Sequence, residues 1–218
     1  MEYELQAELA YEFLRQGASF AGYSPIIASG PDACILHYIE NSKPCADGQS
    51  VLLDFGAGYG HYHADMTRVL PVNGKFSPRQ KQVYNAVKGI FETARALMKP
   101  GTLWKDWQKA TEAAANTACI GLGLYTRAEA DAAPKDAPLH KQYFYHGVGH
   151  FLGLDVHDSG YFHEPFAPGM VLTCEPGLYI WAEGIGIRLE NNIVITETGY
   201  RDLMEEVGIP MEAEAFEK

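Results

Sequence analysis

Leu5, Leu9, Phe13 and Leu14 recur at the spacing of one helical face, and Gly17 follows where a helix can end. The chain is therefore expected to open on an amphipathic helix. YSPIIASG (23–30) and ACILHYIEN (33–41) then read as short strands around a loop, and VLLDF (51–55) and TRVL (67–70) as two arms of a hairpin. Ser77-Pro78-Arg79-Gln80 offers an N-cap, a proline at the first helical position and the glutamine of a capping box. The helix it starts should bury Val83, Val87, Ile90, Phe91, Ala94 and Leu97, and Lys99-Pro100-Gly101 stops it. Thr102 can cap a further helix through Cys119, while the polar, proline-containing stretch 127–141 reads as a surface loop. Beyond it, the segments 143–160, 169–180 and 184–199 look like strands and turns. The order is mixed α and β, without the glycine-rich phosphate loops of a nucleotide-binding fold.

With 218 residues, 47% of them hydrophobic, the chain can bury one sizeable core without help from a cofactor. The net charge of −11 is scattered, which argues against nucleic-acid and anionic-membrane partners, since both reward clustered Lys and Arg. Cys34, Cys45, Cys119 and Cys174 form no C-x-x-C pair and read as reduced thiols in a cytoplasmic protein. The acidic start is unlike a signal peptide, and no apolar run is long enough to span a bilayer.

Charge inside the apolar strands changes the picture. Asp54 and Asp65 fall in two arms flanking a glycine-rich turn, where a buried carboxylate needs a compensating partner. They are directly opposed if that turn centres between Tyr59 and Gly60. Glu175 and Glu190 are likewise opposed if the second turn centres between Ala182 and Glu183, just before Gly184. Opposed like charges destabilise a sheet unless something neutralises them. A single acid is usually a solvated surface residue. Two matched pairs in apolar strands instead point to four carboxylates around a dinuclear metal site.

His146, His150 and His157 lie in a glycine-rich apolar run, and one neutral imidazole would complement the carboxylates. His150 is the expected ligand, His157 is kept free to donate a hydrogen bond to substrate, and His146 orients its neighbours. His37 could reach the site from the preceding strand. Arg188, two residues before Glu190 and hence on the same strand face, would hold a carboxylate or a substrate oxygen.

With these residues in place, ILHYIEN, LLDFGAGYGHYHADMTRVLPVNGKFSPRQKQVYNAV, HGVGHFLGLDVHD, LTCEPGLYI and GIGIRLENNIVITETG together resemble the pita-bread metallopeptidases, in their aminopeptidase P and prolidase branch. The resemblance covers nearly the whole chain. It implies an α/β (α+β) pita-bread fold, a pseudo-twofold curved antiparallel sheet covered by helices, with residues 1–218 as one catalytic domain. It implies further that this domain lacks its first helix and the usual preceding N-terminal domain. Asp54, Asp65, His150, Glu175 and Glu190 are implied to bind two divalent ions, His37 and His157 to contact substrate, and Arg188 to support the site.

The activity so implied is hydrolysis of the Xaa-Pro bond, in peptides with proline at the second position, by a hydroxide bridging two metal ions. Mn2+ is the favoured metal, with Co2+ or Zn2+ as substitutes. Glu175 would accept and pass on the proton, and His157 would stabilise the oxyanion. Tyr143, Phe144 and Tyr145 could form an apolar wall for the proline ring. The alternatives are a methionine aminopeptidase-like enzyme, which would keep the five ligands, and a non-catalytic pita-bread binding module, which could dispense with them. Peptides are the expected partners, and self-association into a homo-oligomer remains open.

Overall fold

The structure, a computed structural model, describes residues 1–218 apart from the side chain of Phe20. Helix α1 (Glu2–Arg15) opens the chain, and Gly17 follows it in a left-handed conformation (φ 86°). Leu5, Leu9 and Phe13 are half-buried, whereas Leu14, one residue off their face, is exposed. The residue that α1 buries completely is Glu2, whose carboxylate accepts hydrogen bonds from Ser29 N and Oγ (2.9 and 2.6 Å), Tyr38 OH (2.9 Å) and Lys43 N (2.9 Å).

Strands β1 (Phe20–Ala21) and β2 (Ile26–Ser29) come next. The strand expected over 33–41 does not form. Gly30–Cys34 is a 3-10 turn with Pro31 at its start, and the stretch to Asn41 is irregular. Asn41 Oδ1 accepts from Ile27 N (2.9 Å), so a side chain satisfies the edge of β2 where a neighbouring strand was expected.

A broken hairpin follows, made of β3 (Ser50–Phe55), β4 (Ala57–Tyr59), β5 (Tyr62–His63) and β6 (Met66–Pro71). Phe55 pairs with Met66 and Gly58 with His63, so the register runs through the break. Its turn is Gly60-His61, both with positive φ (57° and 69°), as a tight two-residue hairpin turn requires. The turn centre therefore lies one residue beyond the expected point, and the pairing shifts by two. Asp54 faces Thr67, not Asp65, and Asp65 falls opposite Gly56. A two-residue shift preserves the sheet face, so both aspartates remain on one side as diagonal neighbours. Gly56 is required here, because a Cβ on it would lie 1.7 Å from the Ala64 carbonyl oxygen.

Helix α2 (Pro78–Ala96) carries the expected capping box, with Ser77 Oγ accepting from Gln80 N (3.1 Å), and buries Val83, Val87, Ile90, Phe91 and Ala94. Leu97 is only half-buried. Helix α3 (Trp104–Gly121) begins after Leu103 rather than Thr102, whose carbonyl accepts from Phe166 N (2.8 Å). Within the expected loop 127–141 lies a short helix, α4 (Arg127–Ala132), capped reciprocally by Thr126 and Glu129. The stretch 143–160 is not a set of strands; it makes one isolated bridge, Phe151 to Leu172.

The second broken hairpin is β7 (Val171–Cys174), β8 (Gly177–Ile180), β9 (Ile185–Arg188) and β10 (Asn191–Ile195), followed by β11 (Tyr200–Asp202) and a short α5 (Leu203–Glu206). Cys174 pairs with Asn191 and Gly177 with Arg188, which sets Glu175 opposite Glu190 as the sequence predicts. The strands are antiparallel throughout, in the orders β2-β3-β6, β1-β4-β5, β11-β10-β7 and β8-β9. Both hairpins break at an acidic residue, and this repetition is the pseudo-twofold device of the fold. Helices α2 and α3 pack Val83, Ile90, Phe91, Trp107 and Cys119 into one cluster with Leu52, Val69, Leu172, Ile187 and Ile193 from the strands. Among the described residues no helix is long and apolar enough to cross a membrane.

Candidate metal centre

Thr67 joins the two hairpins at their acidic ends. Its carbonyl accepts from Glu190 N (3.2 Å), its hydroxyl donates to Glu190 Oε2 (2.6 Å) and accepts from Arg188 Nε (3.1 Å). Arg188, almost fully buried, donates its other nitrogens to Asp54 and to Tyr179 OH (3.0 Å). Tyr23 donates to Asp54 and lies 2.5 Å from Asp65 Oδ1, so one phenol bridges the two aspartates.

On the facing side, His150 Nδ1 contacts Phe151 O (3.0 Å), which turns Nε2 toward Asp65 Oδ2 (3.4 Å) and Glu175 Oε1 (3.3 Å). Thr173 Oγ1 accepts from His150 N (2.9 Å) and donates to Glu175 Oε1 (3.1 Å), aligning both residues from β7. Asp65, His150 and Glu190 each offer one ligand atom, and these atoms lie within 4.8 Å of one another. Glu175 adjoins them through His150, and Asp54 is turned to Tyr23 and Arg188.

Burial, reinforced by the neighbouring carboxylates, raises the pKa of Glu175 to about 7 and that of Glu190 well above the usual range. Asp54 is raised by burial too, against the pull of Arg188. For His150, desolvation favours the neutral ring but is outweighed by Asp65 and Glu175, so its pKa rises. Asp54, Glu175 and Glu190 resist ionising side by side, so the cluster is short of positive charge. An imidazole fixed through Nδ1 presents Nε2 to them. The donor set therefore fits divalent cations.

The flanking histidines differ in state. Tyr179 OH accepts from Arg188, so its own proton goes to His146 Nε2 (2.8 Å), leaving His146 Nδ1–H to donate to Gly147 O (2.7 Å). Burial first, then Arg188, lowers the His146 pKa to about 3 and keeps this ring neutral. His157 lies beside His150 with ring centroids 4.1 Å apart and ring planes tilted by 46°, and burial and His150 lower its pKa. His37 reaches the same pocket from an irregular loop, not from a strand.

The four acids and four histidines line one cavity of about 310 Å3: Asp54, Asp65, Glu175 and Glu190 with His37, His146, His150 and His157, beside Arg188. Its apolar wall is Ile26, Leu36, Ile39 and Val156. The expected aromatic wall is absent from the described lining, because Phe144 lies in the core, Tyr143 packs against it and Tyr145 OH donates to Cys34 O. Sequence reasoning did not find Tyr23, Thr67, Thr173 or Asn192. Thr67, Thr173 and Asn192 carried a signal, as polar positions in apolar strands two residues from an acid; Tyr23 carried none.

Two acid-bearing broken hairpins with one imidazole between them define a divalent-metal site of the pita-bread type. The chain belongs to metallopeptidase family M24, whose sequence profile matches residues 1–197. It is 41% identical over 218 aligned residues to the Xaa-Pro aminopeptidase of Escherichia coli K12, covering 94% of this chain and 49% of that protein. It is 38% identical to the Haemophilus influenzae Xaa-Pro aminopeptidase, over 93% of this chain and 49% of that one. Aminopeptidase P from E. coli, solved with the inhibitor Pro-Leu, superposes with a TM-score of 0.90 at 41% identity, over 99% of this chain and 52% of its own. Proline aminopeptidase P II from Yersinia pestis gives the same TM-score of 0.90 at 38% identity, again over 99% of this chain and 52% of its own. The chain thus spans about half the length of these relatives, and its fold is the pita-bread fold.

Proposed function

We propose that this chain is the catalytic unit of a dinuclear metallopeptidase that cleaves the Xaa-Pro bond at the N-terminus of peptides. The observation that carries the proposal is the convergence of Asp65, His150 and Glu190 ligand atoms within 4.8 Å, in a pocket that also holds Asp54, Glu175 and three further histidines. Asp54, Asp65, His150, Glu175 and Glu190 would hold two ions. The oxygen-rich set favours Mn2+, with Co2+ or Zn2+ able to substitute. When bound, the ions supply Lewis acidity to the scissile carbonyl and acidify the attacking water.

The chain's own residues do the rest. Glu175 accepts the water's proton on its carboxylate and delivers it to the proline nitrogen, which as a tertiary amide carries no hydrogen of its own. His157, kept neutral by burial, donates its ring N–H to the oxyanion. His37 contacts substrate from its loop. Arg188 and Tyr179 hold Asp54 and His146 in place, and Leu36, Ile39 and Val156 exclude water beside the reacting bond.

An aminopeptidase is favoured over a dipeptidase. Among the described lining residues Arg188 is the one guanidinium or ammonium group, and it is fully engaged by Asp54, Thr67 and Tyr179. No free cation of that kind is left to hold the C-terminal carboxylate of a dipeptide. The unpaired state of all four cysteines supports a reducing, cytoplasmic setting.

The test is hydrolysis of Ala-Pro-Leu, Ala-Pro and Met-Ala-Leu by the Mn2+-loaded chain. Release of alanine from the first, faster than from the second, is expected. Cleavage of Met-Ala-Leu alone would move the reading to a methionine aminopeptidase, and turnover of none of the three would defeat it.

A further inference from the structure

Asn191 and Asn192 are adjacent buried asparagines at the start of β10, and alternation along the strand sends their side chains to opposite faces. Asn191 binds Arg68 (2.6 Å) and Asp202 (2.7 and 2.8 Å), away from the carboxylate cluster. Asn192, two residues beyond Glu190, turns the other way, to the first hairpin. Its Oδ1 accepts from Asp65 N (3.2 Å) and its Nδ2 donates to Asp65 O. One side-chain amide thus pairs with both polar groups of a single residue's backbone, as a neighbouring strand would.

The residue so paired sits where the first hairpin breaks. Strand β5 ends at His63 and β6 begins at Met66, leaving Asp65 between them. Gly56, which the register sets opposite Asp65, gives its carbonyl to Gly22 N (2.8 Å) instead. A backbone outside the ladder is free to drift unless something else satisfies it. Drift of this peptide would move the Asp65 carboxylate, whose two oxygens address Tyr23 (2.5 Å) and His150 (3.4 Å).

We propose that Asn192 is a positioning residue of the metal centre: by clamping the Asp65 peptide from the opposite hairpin, it fixes the carboxylate that faces His150. The inference rests on the metal-centre reading above. The side chain must be an amide. A carboxylate could accept the Asp65 N–H but not donate to the Asp65 carbonyl, and it would add a fifth negative charge to a crowded site.

The experiment titrates the metal-free chain with Mn2+ by calorimetry and follows amide hydrogen exchange at Asp65. Asn192→Ala is expected to weaken Mn2+ binding by roughly 10- to 100-fold, the loss typical when a ligand's supporting partner is removed. The Asp65 amide should lose its protection while amides in β6, such as that of Val69, keep theirs. Tyr84→Phe controls for a merely structural effect: it removes a buried bond to Met211 O (3.1 Å) and should lower the melting temperature with Mn2+ affinity unchanged. Asn192→Ser, with the same expectations, serves if the alanine variant does not fold. Parent-like Mn2+ affinity in either folded Asn192 variant, or an unprotected Asp65 amide in the folded parent, overturns the proposal alone. A parent with no saturable Mn2+ site overturns the metal-centre reading and the proposal with it.

Discussion

Arg188 and Asp54, from different hairpins, form an ion pair in which both side chains are almost entirely buried. The guanidinium is the positive charge that the first hairpin's aspartate meets inside the protein, and it arrives on the strand that leads to Glu190. Removing it leaves a buried carboxylate with no cation. Arg188→Met should therefore destabilise the metal-free protein by about 3–5 kcal/mol, the range for breaking a buried pair by removing one partner. Added Mn2+ should recover part of the loss, because it supplies the missing charge. Urea unfolding of both proteins, with and without Mn2+, checks this; equal stability in chelator would contradict it.

Metal binding itself should be saturable, with up to two ions per chain. Asp65 stands between Tyr23 and His150, so Asp65→Asn keeps its shape but loses the charge and one of the two oxygens that can ligate. Titration should register at least one site lost or much weakened. Mn2+ or Co2+ should restore activity better than Cu2+, since four carboxylates and one imidazole form a predominantly hard set.

For His157, ligand and donor roles separate cleanly. If its N–H meets the oxyanion, His157→Ala should lower kcat by roughly 100- to 1,000-fold with metal content near that of the parent. Metal analysis beside steady-state kinetics on Ala-Pro-Leu decides the matter. Lost metal would make it a ligand, and unchanged turnover would remove it from the mechanism.

The raised pKa of Glu175 has a defined signature in stability. In the metal-free native state this carboxyl holds its proton up to about 7, whereas unfolded it releases it near 4.5. Between those values the native state binds more protons, so Glu175 costs the protein stability as pH rises. Glu175→Gln cannot ionise. In chelator, its melting temperature relative to the parent should rise between about pH 5 and about pH 7.5. With saturating Mn2+ the order should reverse, because the parent then uses the carboxylate as a ligand. A pH-independent difference in chelator would count against the shift.

Much of this was legible along the chain. The capping box of α2, its buried face, the acids in apolar strands and the pairing of Glu175 with Glu190 all follow from local pattern, because Gly184, with φ 63°, marks its turn. The first hairpin was displaced for a physical reason. Three glycines lie near its tip, and the one chosen by composition was paired with the wrong neighbour: the tight turn uses Gly60 with His61, and a non-glycine residue at positive φ is uncommon.

The sequence by itself determined which residues carry charge into the sheet, where the helices run and which family's chemistry the chain can hold, since those depend on side-chain type and short-range spacing. Only the tertiary structure decided that Tyr23 bridges the two aspartates, that Thr67 ties Glu190 to Arg188 and that Asn192 clamps Asp65. Asn192 and Asp65 are 127 positions apart, and Arg188 and Asp54 134. No periodicity of 2 or 3.6 residues relates positions so distant. Their meeting is set by how the two hairpins pack, which depends on the whole core beneath them.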